Sequence, residues 1–245
     1  MPTFIGLDLA WTTKNESGIC WLEGDSRESL RCTRLEAAAC ETAKLADAVT
    51  AVDGPVVVTI DAPLIYNEER RAESKIASMF GRYKASAYHP SLAVRRGYTA
   101  GIDLGKALES SGFTLDPASL LCSDRTGRTA VEVFPHTIHV RLFNLAERIL
   151  YKKGRVAQKR AGLHQYQGHL QLLIEQEAPN LFEHEDVARA LHPETARNAR
   201  GKSLKRLDDT LDGLTCALAA WLIWNEPERW EMIGDLNGYI VAPKP

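Results

Sequence analysis

Residues 3–35, TFIGLDLAWTTKNESGICWLEGDSRESLRCTRL, contain three short apolar or alternating runs, at residues 3–10, 17–23 and 29–35. Polar, turn-forming residues separate the runs, so each run is predicted to be a β-strand. The gaps are too short for a parallel crossover, which needs about a dozen residues. The stretch therefore predicts three antiparallel strands that are joined by hairpins.

The chain that follows alternates between predicted helices and strands. Residues 36–49 are rich in alanine and predict a helix, and VVVTI at residues 56–60 is a β-branched run typical of a buried parallel strand. Helices are expected at 68–80 and 103–111, irregular backbone at 83–101 and another strand at 129–134. Residues 136–200 are mainly helical but interrupted by Gly154, Gly162, Pro179 and Pro193. A leucine stripe predicts a long helix at 203–224, and a last strand follows at 238–242.

This order of elements decides the predicted fold class. Pure doubly wound α/β folds begin with strand, helix and strand, and they have no leading antiparallel hairpins. Three hairpin strands followed by helix, strand, helices, strand and helix is instead the order of the ribonuclease H-like fold. We expect a mixed five-stranded sheet, three antiparallel strands then two parallel ones, flanked by helices. One domain over residues 1–245, with a helical insertion around residues 136–202, is the simplest organisation.

Composition limits the class of protein. The five cysteines form no CxxC pair and no signal peptide is evident, which favours a reducing cytoplasm over a disulfide framework or a structural zinc site. No apolar run reaches the roughly 20 residues of a membrane span. Residues 148–206 hold 12 Lys/Arg and 6 Asp/Glu within a chain of net charge −2. That basic segment fits either a surface that steers a polyanion or an ordinary solvated helical surface.

Three acidic residues stand where strands are expected to be buried. Asp8 lies inside FIGLDLA, Asp61 directly follows VVVTI, and Glu132 is flanked by two valines. A buried, unpaired carboxylate is costly, whereas a divalent cation would offset the mutual repulsion of several. Local alternatives stay open, because Asp61 is also placed to cap a turn and Glu132 to pair with a buried arginine.

The long final helix supplies further acids. Asp212 shares a helix face with Asp208 and Asp209, since residues three and four apart are neighbours on a helix surface. A pair of aspartates near a helix start is also explained by the helix dipole. We predict that Asp8, Asp61 and Asp212 meet at one divalent-metal site.

Ordered motifs give the chain a family resemblance. GLDLAW, IDAPL, the pair Arg70-Arg71, EVFPH, YKKG, LDDTLDGLTCALAA and GYIVAP occur in sequence between residues 5 and 243. Together they resemble the domain-of-unknown-function 429 family, whose members are described as predicted nucleases with the ribonuclease H fold. Gly213 stands where the family pattern usually has alanine, and a glycine inside a helix indicates close backbone packing.

The wider resemblance is to the Holliday-junction resolvase branch of the ribonuclease H superfamily. It implies Asp8 on the first strand, Asp61 on the fourth and the pair Asp209 and Asp212 on the last helix as catalytic ligands. Glu132 is a further catalytic candidate. The implied reaction is hydrolysis of phosphodiester bonds in nucleic acid by two Mg²⁺ or Mn²⁺ ions, which activate water and stabilise the leaving oxygen.

Several assignments depend on that reading. Lys152, Lys153 and Arg155 are predicted to bind flanking phosphates of nucleic acid. His136, after EVFP, is predicted either to orient a ligand or to be an ordinary histidine at a helix start. The alternatives are an ATP-binding phosphotransferase of the actin-like superfamily, which needs glycine-rich phosphate loops, and a non-catalytic module that binds nucleic acid or protein.

Overall fold

The computed structural model describes residues 1–12, 14–121 and 127–245. Cys122 therefore lies outside the described residues. Within them, five strands form one sheet in the order β3-β2-β1-β4-β5. Their bounds are β1 (Thr3–Asp8), β2 (Ser17–Glu23), β3 (Arg31–Ala38), β4 (Val56–Ile60) and β5 (Arg128–Glu132). β1 pairs antiparallel with β2 and parallel with β4, β2 pairs antiparallel with β3, and β4 pairs parallel with β5. The predicted mixed five-stranded sheet is confirmed.

Helices cover both faces of this sheet. In the described chain they are α1 (Thr42–Thr50), α2 (Ala72–Phe80), α3 (Ser91–Arg95), α4 (Ala100–Ser110), α5 (Ala118–Leu121), α6 (Pro135–Leu142), α7 (Val156–Glu177), α8 (Glu185–Leu191), α9 (Pro193–Asn198) and α10 (Lys202–Asn225). Three-residue or five-residue 3₁₀ turns occur at Gly81–Tyr83, Pro179–Glu183 and Pro227–Arg229. One core lies between the sheet and the pair α1 and α4, and a larger core surrounds α10 on the opposite face. None of the described helices combines the length and hydropathy of a membrane span.

The approach of α10 to the sheet is unusually close because glycines remove the side chains between them. A Cβ on Gly6 would lie 2.0 Å from the Ala217 nitrogen, and one on Gly18 would lie 1.8 Å from the Asp209 carbonyl oxygen. On the helix side, a Cβ on Gly213 would lie 2.7 Å from the backbone of Gly18. The predicted close packing at Gly213 is confirmed. Nearly every residue of α10 from Leu204 to Ile223 is buried, its aspartates included.

Some predicted boundaries are wrong for tertiary reasons. Residues 36–38 were expected to begin a helix, but they extend β3, where Glu36 pairs with Ile19 and Ala38 with Ser17. Sheet pairing here overrides the helix propensity of alanine. Gly162 was expected to interrupt a helix, yet it lies within α7, and its missing Cβ makes room for the carbonyl oxygen of Leu150.

Two further elements were not predicted as they occur. The segment at residues 83–101, expected to be irregular, contains α3 and the start of α4. The last strand β7 (Gly238–Pro243) pairs with β6 (Trp230–Asp235), and the two form a separate antiparallel sheet. The strand β6 was not predicted from the sequence. Residues 136–202 are mostly helical, while their status as an insertion stays a prediction.

Candidate active site

Asp8 and Asp61 lie side by side where their parallel strands end. Leu7 pairs with Ile60, and the Asp61 amide donates a hydrogen bond to the Leu7 carbonyl oxygen at 2.8 Å. Paired residues in a sheet point to the same face. The register therefore directs Asp8 and Asp61 to the face that α10 covers.

The close approach of α10 brings a second group of acids to the same place. Gly18 is the cross-strand partner of Asp8, and the backbone of Asp209 lies directly against Gly18. Beside burial, the charge of Asp8 raises the pKa of Asp209, and the charge of Asp212 raises that of Asp8. Four predicted acids, Asp8, Asp61, Asp209 and Asp212, are thus neighbours in the folded chain.

Asp212 is the most strongly partnered of these acids. Its Oδ1 accepts hydrogen bonds from the Tyr151 hydroxyl at 2.8 Å and the Tyr166 hydroxyl at 3.0 Å. Its Oδ2 lies 2.7 Å from the Nζ of Lys152. Burial opposes the charge on Asp212, but the charge and hydrogen bond of Lys152, together with the nearby His139 and His136, lower the pKa of this carboxyl. Asp212 is therefore a buried carboxylate held in the ionised form.

The remaining acids are harder to ionise. Burial raises the pKa of Asp8 and raises that of Asp61 further, against the opposing charge of Lys152. Burial also raises the pKa of Asp208 to about 7 and that of Asp209 to about 8. Lys205 forms an ion pair with Asp209 and lies 3.8 Å from Asp208. Lys152 and Lys205 thus supply positive charge that offsets the mutual repulsion of the aspartates.

A cavity of about 380 Å³ opens above this cluster. Asp8, Asp61 and Asp209 contribute to its wall, and positive charge enters from Arg148, Lys152, Lys153 and Lys205. Of the three residues predicted to bind phosphate, Lys152 and Lys153 line the cavity, whereas Arg155 does not. The Arg155 backbone instead begins α7, where its amide donates to the Gln158 side chain at 2.8 Å.

Glu132 differs from the four aspartates. It pairs with Ile60 in the sheet. Its side chain therefore points to one face of the sheet, whereas those of Asp8 and Asp61 point to the other. Arg70 donates to both of its carboxylate oxygens, at 2.6 and 3.0 Å, and the Leu64 amide donates at 3.2 Å. Burial opposes the charge on Arg70, but Glu132 and Glu73 raise its pKa. The ion pair anticipated as one alternative is present, although Glu132 also borders the cavity.

Sequence reasoning missed several residues that shape this site. Tyr151 and Tyr166 hold Asp212, and Lys205 precedes Asp209 by four residues, a helix spacing that predicts an ion pair. No periodicity pointed to the tyrosines, which come from distant segments. His136 lies in the first turn of α6 and borders the cavity, with its ring 5.5 Å from that of Tyr151. Burial lowers the pKa of His136, so its imidazole is neutral.

The donor set suits a hard divalent cation, although its present arrangement is not that of a formed site. In the described chain, no three His, Cys, Asp or Glu side chains stand ready to hold a metal ion. One buried oxygen on Asp208 and one on Asp209 accept no hydrogen bond from any described residue. Buried carboxylate oxygens without donors are what Mg²⁺ and Mn²⁺ bind. These residues therefore fit such an ion by their chemistry.

Comparisons with known proteins agree with the predicted family. Among solved structures, the crystal structure of the yeast mitochondrial Holliday junction resolvase Ydc2 is similar at a TM-score of 0.41 and 12% identity. The match covers 91% of this chain and 78% of the resolvase. No curated protein matches the sequence. The family profile described as "Protein of unknown function (DUF429)" matches residues 6–230, and the chain belongs to that family.

Proposed function

We propose that this protein is a nuclease that hydrolyses phosphodiester bonds of nucleic acid with the help of Mg²⁺ or Mn²⁺. One observation carries the proposal: half-buried Asp8 and Asp61 and buried Asp209 border a cavity that lysines also enter. Bringing these carboxyls together costs folding free energy. A cluster that carries this cost is therefore a candidate functional site. Phosphodiester hydrolysis uses both of its parts, since carboxylates bind the metal and ammonium groups bind phosphate.

Each group has a distinct part in this proposal. Asp8, Asp61, Asp209 and Asp212 would hold the ions. A bound divalent cation would supply an activated water at neutral pH and stabilise charge on the leaving oxygen. Lys153 and Lys205 would bind the phosphate from the rim. Tyr151 and Tyr166 would keep the Asp212 carboxylate oriented and exclude water from behind it. The predicted ribonuclease H-like fold is part of this proposal, because the observed strand order and pairing support it.

The direct test is cleavage by the purified protein. Fluorescent single-stranded DNA, duplex DNA, branched DNA and RNA would be incubated with Mn²⁺, Mg²⁺ or EDTA. We expect metal-dependent products, and a loss of at least about 100-fold in rate for Asp8→Asn and Asp61→Asn. Asp47→Asn is the matched control, because Asp47 is an exposed aspartate on α1. It should cleave at the wild-type rate.

Two outcomes would reject the proposal. Cleavage that survives in Asp8→Asn would belong to a contaminant. Absence of cleavage on every substrate with both metals would show that this protein lacks nuclease activity.

A parallel incubation with ATP tests the phosphotransferase alternative. The loops after β1 and β4 begin with Leu9-Ala10-Trp11 and Ala62-Pro63 rather than glycine-rich phosphate loops, so no Asp8-dependent release of phosphate from ATP is expected.

A further inference from the structure

Two exposed aromatic side chains stand at the same cavity as the acids. Trp11 is 47% exposed and Tyr88 is 82% exposed, and both border that cavity. Single exposed apolar residues are common on protein surfaces. Two large rings beside one cluster of buried carboxylates are more informative, because exposed aromatic surface at a cavity marks a binding site for a flat or apolar group.

Trp11 is tied to the acids by the chain itself. It follows Asp8 by three residues and continues into a shallow apolar groove with Ala62, Pro63 and Tyr98. Ala62 and Pro63 directly follow Asp61, so both loops that carry the acids also form this groove. Nearly half of the Trp11 side chain is exposed, and it borders both the cavity and the groove. The indole is therefore accessible to a ligand.

Tyr88 is tied to the basic side of the cavity. The Nζ of Lys153 lies 3.1 Å from the Tyr88 hydroxyl and 5.4 Å from the centre of its ring. Lys153 follows Lys152, whose ammonium reaches into the acidic cluster. A ring and a cation thus stand together at the rim, the combination that binds a base and its phosphate in single-stranded nucleic acid.

We infer that the substrate is an unpaired strand, with one base stacked on Trp11, another on Tyr88, and a phosphate between them over the acids. This inference rests on the proposed nuclease function and names its substrate class. In a duplex the faces of the bases are covered by their neighbours, and an enzyme reaches them only after unstacking. A single strand offers its base faces at no such cost.

Equilibrium binding tests this inference without cleavage. In EDTA, anisotropy of a fluorescent 12-nucleotide oligothymidylate is compared with that of the same strand paired to oligoadenylate. We expect tighter binding of the single strand at equal salt. Trp11→Ala and Tyr88→Ala should each weaken single-strand binding about 5- to 100-fold. Duplex affinity should stay within about twofold of the wild type.

Matched variants separate stacking from folding. Trp11→Phe keeps a ring and should retain most of the affinity. Leu172→Ala removes an exposed apolar side chain on α7 and should change nothing. Tryptophan emission gives a second readout, because Trp221 and Trp230 are buried while Trp11 is open to a base. Quenching by the oligonucleotide that disappears in Trp11→Phe would support stacking on Trp11.

The results distinguish this inference from the function on which it rests. If Trp11→Ala and Tyr88→Ala bind the single strand as the wild type does, the stacking inference is wrong, even where Asp8→Asn abolishes cleavage. Equal wild-type affinity for single strand and duplex would also overturn it. If both alanine variants lose single-strand binding but no metal supports cleavage, the inference holds for a binding protein and the nuclease proposal fails.

Discussion

The ammonium of Lys152 lies 2.7 Å from the Oδ2 of Asp212, so a lysine supplies the positive charge at the centre of the acidic cluster. The same charge opposes the rise that burial causes in the pKa of Asp8 and Asp61. Lys152, which the sequence predicts to bind substrate phosphate, thus forms an ion pair with a proposed metal ligand. Lys152 and a divalent cation would compete for the same carboxylates.

Replacing Lys152 tests that competition. Lys152→Met should destabilise the metal-free protein by roughly 1–2 kcal/mol, because it leaves Asp212 without its ammonium while partial exposure of the lysine moderates the loss. Mn²⁺ should then raise the melting temperature more in the variant than in the wild type. The measurement is a thermal melt at increasing Mn²⁺. Lys153→Met, at the exposed rim, is the control, and an equal Mn²⁺ response in all three proteins would contradict the competition.

The stability of the metal-free protein should fall between pH 6.5 and 8. Burial raises the pKa of Asp208 to about 7 and that of Asp209 to about 8, above the ordinary aspartate value. In this range the folded chain binds protons that the unfolded chain has lost, so rising pH favours unfolding. Below pH 6.5 the buried neutral His136 and His139, whose pKa values burial lowers, give an opposing trend.

Urea unfolding at pH 6.5 and pH 8 measures this effect. The free energy of unfolding should drop by about 1–2 kcal/mol in the wild type. Asp209→Asn removes the carboxyl with the higher of these two pKa values, so the stability of this variant should depend less on pH. Saturating Mg²⁺ should also reduce this dependence by keeping the carboxylates ionised. A wild-type stability that rises with pH across this interval would show that the aspartates are not protonated.

The sequence was a good guide to Asp8 and Asp61 because each ends a strand whose apolar pattern is clear. The register of β1 with β4 then follows from ordinary sheet geometry. It was also a guide to Asp209 and Asp212, since helix spacing fixes their common face. It was no guide to Tyr151 and Tyr166, which reach Asp212 from segments whose positions depend on tertiary packing.

Glu132 shows where local reasoning stops. Two flanking valines indicate a buried strand, and an acid in that setting suits either a metal or an arginine. Only the strand register decides to which face of the sheet Glu132 points. Only the fold brings Arg70, in the loop before α2, within hydrogen-bond distance of it. Register shifts of one residue would exchange the two faces.

Glu132→Gln separates a structural role from a metal role. Losing the charge beside buried Arg70 should cost about 3 kcal/mol of unfolding free energy. Calorimetric titration of the folded variant with Mn²⁺ should give an affinity near that of the wild type, whereas Asp61→Asn should bind weakly. A similarly large loss of Mn²⁺ affinity in both variants would indicate that Glu132 is a metal ligand. Recovery of stability in Arg70→Met/Glu132→Met over Arg70→Met alone would confirm the ion pair.

The glycine contact between α10 and β2 sets the position of every acid on that helix. A Cβ on Gly213 would lie 2.7 Å from the Gly18 backbone, so Gly213→Ala should push the helix outward and cost about 1–3 kcal/mol. The shift would also move Asp209 and Asp212 away from Asp8, so Mn²⁺ should stabilise this variant less than the wild type.

Gly168→Ala is the control, because Gly168 lies within α7 with no atom within 4 Å of its would-be Cβ. That change should stabilise the protein by up to about 1 kcal/mol through helix propensity. Equal effects of the two substitutions on urea unfolding would mean that α10 does not depend on the glycine for its place on the sheet.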